Sequence, residues 1–401
     1  MSAVLELNDQ ALSLYQDGQL LASSPGYVLS IGKQPQFGVQ AASQSRLHPV
    51  STNNEFWNRL SMSPLSRPVA NFRHYADMAH AHLLQLGELA DYEGPVVLAV
   101  PGNFNREQLA ILSGIVRHSP FTVSAMLDSG IAAAAGSNAQ ADYLVYLDLQ
   151  LHQAVFTVMR KEGQRLVRQQ VLQTQSAGWD AMSNALVQTV NDEFISQCRF
   201  NPQHSAQWEQ QLFNELPQWL STLAAGAHEI VVEIETDKST HKASVSATDL
   251  RESISPALDK LSQQLLQFSD VDASDVPLLI SSRSASIPGL VQHFGQQKQI
   301  VSGEQLAHSC VQLLNDLPGN ETAVPYLTSV NLRTREQATK NEPQPAAATH
   351  LLVDGSAWPL NNQPVFSQQE LTELLQKHRL GELINHQGRQ LQLIRVHHGV
   401  G

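Results

Sequence analysis

Two carboxylates hold comparable places in this chain. Glu6 stands at the end of the apolar run that opens with Val4-Leu5, and Asp148 closes Tyr143-Leu144-Val145-Tyr146-Leu147. Each run opens a β meander. A carboxylate at a strand end readily accepts hydrogen bonds from the amides of the turn that follows, and this capping role is the preferred reading for both. The other chemistry-bearing side chains are scattered. His80 and His82 are two apart on a helical pattern, a spacing that points them to different faces, so a shared metal is not expected and solvated surface is. Cys198 and Cys310 are the only two cysteines, too few for a disulfide framework or a zinc site. No Gly-X-Ser-X-Gly elbow, P-loop or dinucleotide fingerprint occurs, which leaves hydrolase and oxidoreductase readings without a starting residue.

The elements that must position Glu6 and Asp148 read clearly. Val4–Leu7, Ala11–Tyr15 and Gln19–Ala22 alternate as strands, with Asp17-Gly18 as a hairpin turn. A helix is expected over 75–89, with Met78, Leu83, Leu86 and Leu89 on or near one stripe. Val96–Val100 is a continuous apolar run suited to a strand buried on both faces. Asn105 starts a helix to about Arg117, and Phe121–Val123 is the next strand; strand, helix, strand argues for a right-handed parallel crossover. An alanine-rich helix runs from Ile131 to Ala135. A second meander follows over 143–148, 154–159 and 165–168, with Lys161-Glu162-Gly163 as a turn. Helices over 179–198 and 208–223, a strand over 228–235, a helix over 248–268 and a buried strand over 277–280 repeat the scheme. Residues 333–349 are rich in Gln, Pro, Ala and Thr and read as a linker. Beyond it, strands at 351–353, 364–366 and 391–396, and a helix from Ser367 to about His378 with capping-box spacing to Glu370, form a small module.

Composition narrows the partners. The chain has 401 residues, enough for more than one hydrophobic core, and a net charge of -12 that repels phosphate backbones and anionic lipid. Nucleic acid and membrane insertion are therefore not expected. Met1–Glu6 lacks a basic stretch leading into a long apolar run, so no secretory signal is expected, and a reducing cytoplasm suits the chain best. The five tryptophans are dispersed and read as packing residues, and the His397-His398 pair as a frayed end.

The order of these elements resembles the nucleotide-binding domain of DnaK-type heat-shock chaperones, of the actin, sugar-kinase and heat-shock superfamily. Val100-Pro101-Gly102-Asn103-Phe104-Asn105 before a Gln-containing helix start is similar to that family's Val-Pro-Ala-Tyr-Phe-Asn, and Met126–Gly136 to its hinge helix. Weaker similarities lie at Pro25–Val28, Phe37–Ala41, His48–Leu60, Gly178-Trp179-Asp180 and Ile287-Pro288, and together they span about residues 4–332. The resemblance implies an α/β chain with a two-lobed actin-like ATPase fold: duplicated ribonuclease-H-like lobes over about 1–137 and 138–332, the 333–349 linker, and a small C-terminal α+β module at 350–401. It also implies ATP or ADP with Mg²⁺, held through water by Glu6 and Asp148, with Asn8, Gln10, Gln150, His152, Ser281 and Ser282 along the nucleotide.

Against that family the phosphate loops are rewritten. Asp-Leu-Gly-Thr-Thr is replaced by Glu6-Leu7-Asn8-Asp9-Gln10, and Asp-Leu-Gly-Gly-Gly-Thr-Phe-Asp by Asp148-Leu149-Gln150-Leu151-His152-Gln153-Ala154-Val155. Glycine turns bring backbone N–H groups close to phosphate; these side chains fill that room, and His152 is expected to plug the cleft. The adenosine motif's Gly-Gly pair is matched by Ser281-Ser282, small enough to admit a base. The adenine-contacting helix falls at Asn214–Ser221 without Lys or Arg, and the expected catalytic lysine has only Arg59 and Arg67 nearby. The sequence thus predicts a chaperone-like protein working through protein partners, with ATP use weakened or lost. An ATP-driven chaperone ATPase and an actin-like scaffold are the alternatives. The tail is too short for a DnaK-type peptide cradle.

Overall fold

The computed structural model describes residues 3–69, 71–139, 141–268, 276–314, 324–332, 349–353, 356–360, 366–367, 370–371, 383–386 and 389–394. It is a mixed α/β chain whose contacts divide it into two units, Met1–Leu332 and Arg333–Gly401.

The first unit holds two six-stranded sheets built on one plan. In the first, β1 (Ala3–Glu6), β2 (Leu12–Gln16) and β3 (Gln19–Ser24) form an antiparallel meander, and β4 (Gly94–Val100) and β5 (Phe121–Asp128) continue it in parallel from β1. In the second, β6 (Tyr143–Leu149), β7 (Gln153–Glu162) and β8 (Arg165–Gln175) form the meander, and β9 (Leu278–Ser281) and β10 (Lys298–Val301) extend it in parallel from β6. The hairpin at Asp17-Gly18 has both residues at positive φ, 52° and 78°, as a tight two-residue turn matching strand twist requires.

Helices cover the faces. In the first sheet α1 (Tyr75–Ala90) and α2 (Arg106–Val116) cover one side. The start of α2 is set by a reciprocal cap: Asn105 Oδ1 accepts from Gln108 N at 2.9 Å while Gln108 Oε1 accepts from Asn105 N at 3.1 Å. In the second, α4 (Trp179–Cys198), α5 (Ala206–Ala224) and α6 (Ala247–Leu265) share a core with the sheet around Phe156, Phe194 and Leu258. A third cluster lies between the two sheets. There Val4, Val97 and Leu127 meet Leu144, Tyr146 and Leu279 through the small-residue helix α3 (Ser129–Ala135) and α7 (Gly303–Leu314). Alternation does this work: in β1, Leu5 faces the outer core and Val4 the shared one.

Several expectations change at the ends. The strand expected at Phe121–Val123 runs on to Asp128 through a bulge at Val123/Ala125, which hides its alternation. The turn expected at Lys161-Glu162-Gly163 is Gly163-Gln164 alone, because Lys161 and Glu162 pair with Leu166 and Arg165. The helix expected from Thr248 starts at Ala247, since Ser246 Oγ accepts from Asp249 N at 3.0 Å. A hairpin partner at Thr240–Ser246, strand β10 and helix α7 were not anticipated. His82, expected on the surface, is fully buried.

Residues 324–332 tie the sheets together. Tyr326 and Leu327 add a parallel edge strand beside Met126 and Leu127, and Ser329–Asn331 add an antiparallel one beside Arg165–Val167. A short length of chain therefore belongs to both sheets.

The second unit contains a four-stranded antiparallel sheet ordered Ser356–Pro359, His350–Val353, Arg389–Ile394, Leu383–His386, over a core of Leu351, Val353 and Leu391. Ser367 and Glu370 form the expected capping box, with Ser367 N donating to Glu370 Oε2 at 2.9 Å and Glu370 N donating to Ser367 Oγ at 3.4 Å. Apart from Leu371, the rest of that helix lies outside the described residues, as do residues 364 and 365 of one expected strand, 395 and 396 of another, His397-His398 and all but the last residue of the expected linker.

Candidate functional site

The two sheets bring Glu6 and Asp148 to one place, because β1 and β6 occupy equivalent positions in their sheets. Both side chains are buried, at 2% and 5% exposure. The group between them is a third side chain, from the short helix Ser282–Ala285 after β9. Arg283 Nη2 lies 2.5 Å from Glu6 Oε2, its Nε lies 3.7 Å from Asp148 Oδ1, and its Nη1 donates to Ala11 O at 3.1 Å. A guanidinium thus spans the space between the carboxylates. Burial pushes the Glu6 carboxyl up, and Arg283 pulls against it. Burial alone would lower Arg283, but Glu6 and Asp148 hold it above its ordinary range, so it stays charged.

The loop after Glu6 reaches across to the loop after Asp148. Asn8 Nδ2 donates to both Asp148 Oδ2 and Leu149 O at 2.8 Å, and Asn8 Oδ1 accepts from Gln10 N at 2.8 Å. Asp9 Oδ1 accepts from Leu151 N at 2.7 Å. Burial raises the Asp9 carboxyl to about 6, against the lowering pull of the Leu151 amide and His152.

A chain of carboxamides lies beside them. Gln150 and Asn103 exchange hydrogen bonds at 3.0 and 3.1 Å, Gln153 Nε2 donates to Gln150 Oε1 at 2.9 Å and Asn58 Oδ1 at 2.8 Å, and Gln175 Nε2 donates to Gln153 Oε1 at 3.2 Å. His152 Nε2 meets Asn54 O at 3.0 Å. Gly178 is required by this arrangement, because a Cβ there would come within 2.3 Å of Gln153 N and 2.6 Å of Gln150 O.

The two serines separate. Ser281 is buried, 2.7 Å from Ser284 Oγ, which in turn accepts from Leu149 N at 2.9 Å; Ser282 is exposed. Beyond that turn a groove of about 490 Å³ opens among Leu220, Leu223, Arg251, Ile287 and Pro288. Trp219, in the stretch matched to the adenine-contacting helix, is buried in the core instead. Arg59, near the position expected for a lysine, pairs with Glu55 at 3.3 Å.

No family model matches the chain, and no curated protein matches its sequence at a significant level.

Glu6, Asn8, Asp148 and Gln150 therefore meet, and Gln10 closes the turn beside them, while Ser282 does not join. The residue missed by sequence reasoning is Arg283. Its signal is slight: a single cation two residues after a buried strand, whose partners lie 277 and 135 positions earlier in the chain. Among the described residues no cluster of three or more His, Cys, Asp or Glu side chains is arranged to hold a metal. Among the described residues no helix is long and apolar enough to cross a membrane.

Proposed function

We propose that this chain is a divergent DnaK-type chaperone-like protein, with a two-lobed actin-like body that acts through protein partners and does not turn over ATP. The observation that carries the second half is Arg283. Where the resemblance calls for water-bridged Mg²⁺ between Glu6 and Asp148, a covalently attached guanidinium already pairs with both. The residues present do not fit a metal-bound triphosphate. The turns after Glu6 and Asp148 present Asn8, Asp9, Gln150 and His152, which are hydrogen-bonded to Asp148, Asn103, Gln153 and nearby backbone, and their side chains rather than a nest of free amides fill the turns. Asp9 adds a carboxylate where phosphate oxygens would lie, and like charges repel. The family half is supported by the repeated plan of the two sheets and by the residues quoted above for the resemblance.

The test is calorimetric titration of the whole chain with Mg-ATP. No heat of binding up to millimolar nucleotide is expected, whereas a Kd below about 10 micromolar, roughly -7 kcal/mol, would overturn the reading. A paired measurement follows aggregation of a heat-unfolded client by light scattering. Suppression that is unchanged by ATP is expected; suppression that requires ATP would restore the ATP-driven alternative.

A further inference from the structure

The small sheet that packs on α4 and α5 leaves one edge open. Strand Glu229–Glu235 pairs antiparallel with strand Thr240–Ser246, and the sheet has no third strand among the described residues. The outer edge of Thr240–Ser246 is covered by the end of α4: Ser244 N donates to Gln197 Oε1 at 3.0 Å, Gln197 Nε2 donates to Ser244 O at 2.7 Å, and Cys198 Sγ donates to Lys242 O at 2.9 Å. Residues facing each other across an antiparallel ladder turn their backbone groups the same way, either toward each other or both outward. Val231 faces Ser244 and Glu233 faces Lys242, so both point their N–H and C=O groups outward, on the opposite edge. There Gln211 Nε2 donates to Glu233 O at 2.9 Å. The N–H and C=O of Val231 and the N–H of Glu233 meet no partner among the described residues, and Val231 is 59% exposed.

The side chains of that strand alternate. Ile230, Val232 and Ile234 enter the core, while Glu229, Val231, Glu233 and Glu235 stand on the solvent face. Lys242 is the one cation paired to any of these glutamates among the described residues. The edge is therefore acidic around a single apolar side chain. Pairing with a second copy of the same strand about Val231 would set Glu229 against Glu233, and like charges directly opposite are destabilising. A strand of opposite charge meets no such penalty.

We propose that the Glu229–Glu235 edge receives an extended segment of a partner protein as a third strand, one in which lysine or arginine alternates with apolar residues. Main-chain hydrogen bonds to Val231 and Glu233 supply the docking, and the two-residue alternation supplies the choice of partner. Basic side chains fall beside Glu229, Glu233 and Glu235, and the apolar ones between them fall on the side of Ile230, Val232 and Ile234. This docking rests on the protein-partner half of the function proposed above and is indifferent to nucleotide.

The probe is a fluorescein-labelled peptide alternating lysine and valine, titrated with the whole chain in the absence of nucleotide and followed by fluorescence polarisation. Saturable binding is expected, with about tenfold weaker binding to Val231→Pro, which removes only an outward N–H at a sheet edge. The pair Glu229→Lys and Glu235→Lys, which leaves the backbone as it is, should weaken binding as much. N-methylation of the peptide's lysines, whose N–H groups face the edge, should abolish binding, and N-methylation of its valines should preserve it. No binding at about 0.5 millimolar chain, equal binding of the two methylated peptides, or undiminished binding to either variant would overturn the proposal. Should the peptide fail to bind while the chain still suppresses client aggregation, the docking edge is excluded and the proposed function stands.

Discussion

The Trp57 indole N–H donates to His82 Nδ1 over 3.0 Å, and this contact sets the imidazole tautomer. An indole nitrogen can only donate, so Nδ1 carries no proton and Nε2 does. Nε2 therefore donates to Ser24 Oγ, 2.7 Å away. In a nucleophilic serine–histidine pair the ring must accept from the hydroxyl; here the direction is reversed, and the pair is a core fastening.

Acid should unfasten it. Burial lowers His82 to about 3, well under its ordinary 6.5. The unfolded chain then binds a proton that the folded one refuses between those values. His82 therefore contributes stability that is complete above pH 6.5 and is lost as pH falls toward 3, by about 1.4 kcal/mol per pH unit at most. Urea denaturation of wild type and His82→Gln between pH 7.5 and 4.5 should show this slope only in wild type.

Asp9 should act with the opposite sign. Its carboxyl is raised to about 6 in the fold from 3.8, so the folded chain holds the extra proton and stability falls as pH climbs from about 4 to 6, then levels off. The groups that face it are the Leu151 amide, His152, Asp148 and Arg283. The difference in unfolding free energy between Asp9→Asn and wild type should grow in favour of the variant over that window. A flat difference would mean that Asp9 stays charged throughout.

Removing Arg283 should be far more damaging than removing the whole cluster. Arg283→Met leaves Glu6 and Asp148 buried without a cation, at a cost of about 3–5 kcal/mol. The triple variant Glu6→Gln, Asp148→Asn, Arg283→Met removes the charges together and should recover most of that loss. Equal instability of single and triple variants, by chemical denaturation, would show that packing rather than charge is what Arg283 supplies.

The segment shared by both sheets should be fastened at Tyr326. Arg168 Nη1 donates to Asp128 Oδ2 at 2.7 Å, to Tyr326 Oη at 2.9 Å and to Gly102 O at 3.3 Å, joining side chains from both sheets and the shared segment. Asp128 also caps α3 through the amides of Gly130 and Ile131 at 2.9 and 3.1 Å. Tyr326→Phe should cost about 1 kcal/mol and speed hydrogen exchange of the Ser329–Asn331 amides. Arg168→Met, which strands the fully buried Asp128, should cost about 3–5 kcal/mol.

What could be read directly was local. The apolar runs Val4–Leu7 and Tyr143–Leu147, the turn at Asp17-Gly18, the helix start at Asn105 and the stripe of α1 are patterns whose causes lie within a few residues, and they placed Glu6 and Asp148 at matching strand ends. The crowding of the turns after Glu6 and Asp148 was legible too, because the side chains of Asn8, Gln150 and His152 take up room wherever the chain goes. What only the tertiary structure decided was pairing across distance. Nothing near position 283 marks its arginine as the partner of residues 6 and 148, and although His82 lies between Ala81 and Leu83 on the stripe that carries Met78 and Leu86, nothing near it says that it meets Ser24 and Trp57. Burial is set by what packs from elsewhere, and it converts a charge or an imidazole from solvated surface into a structural fastening.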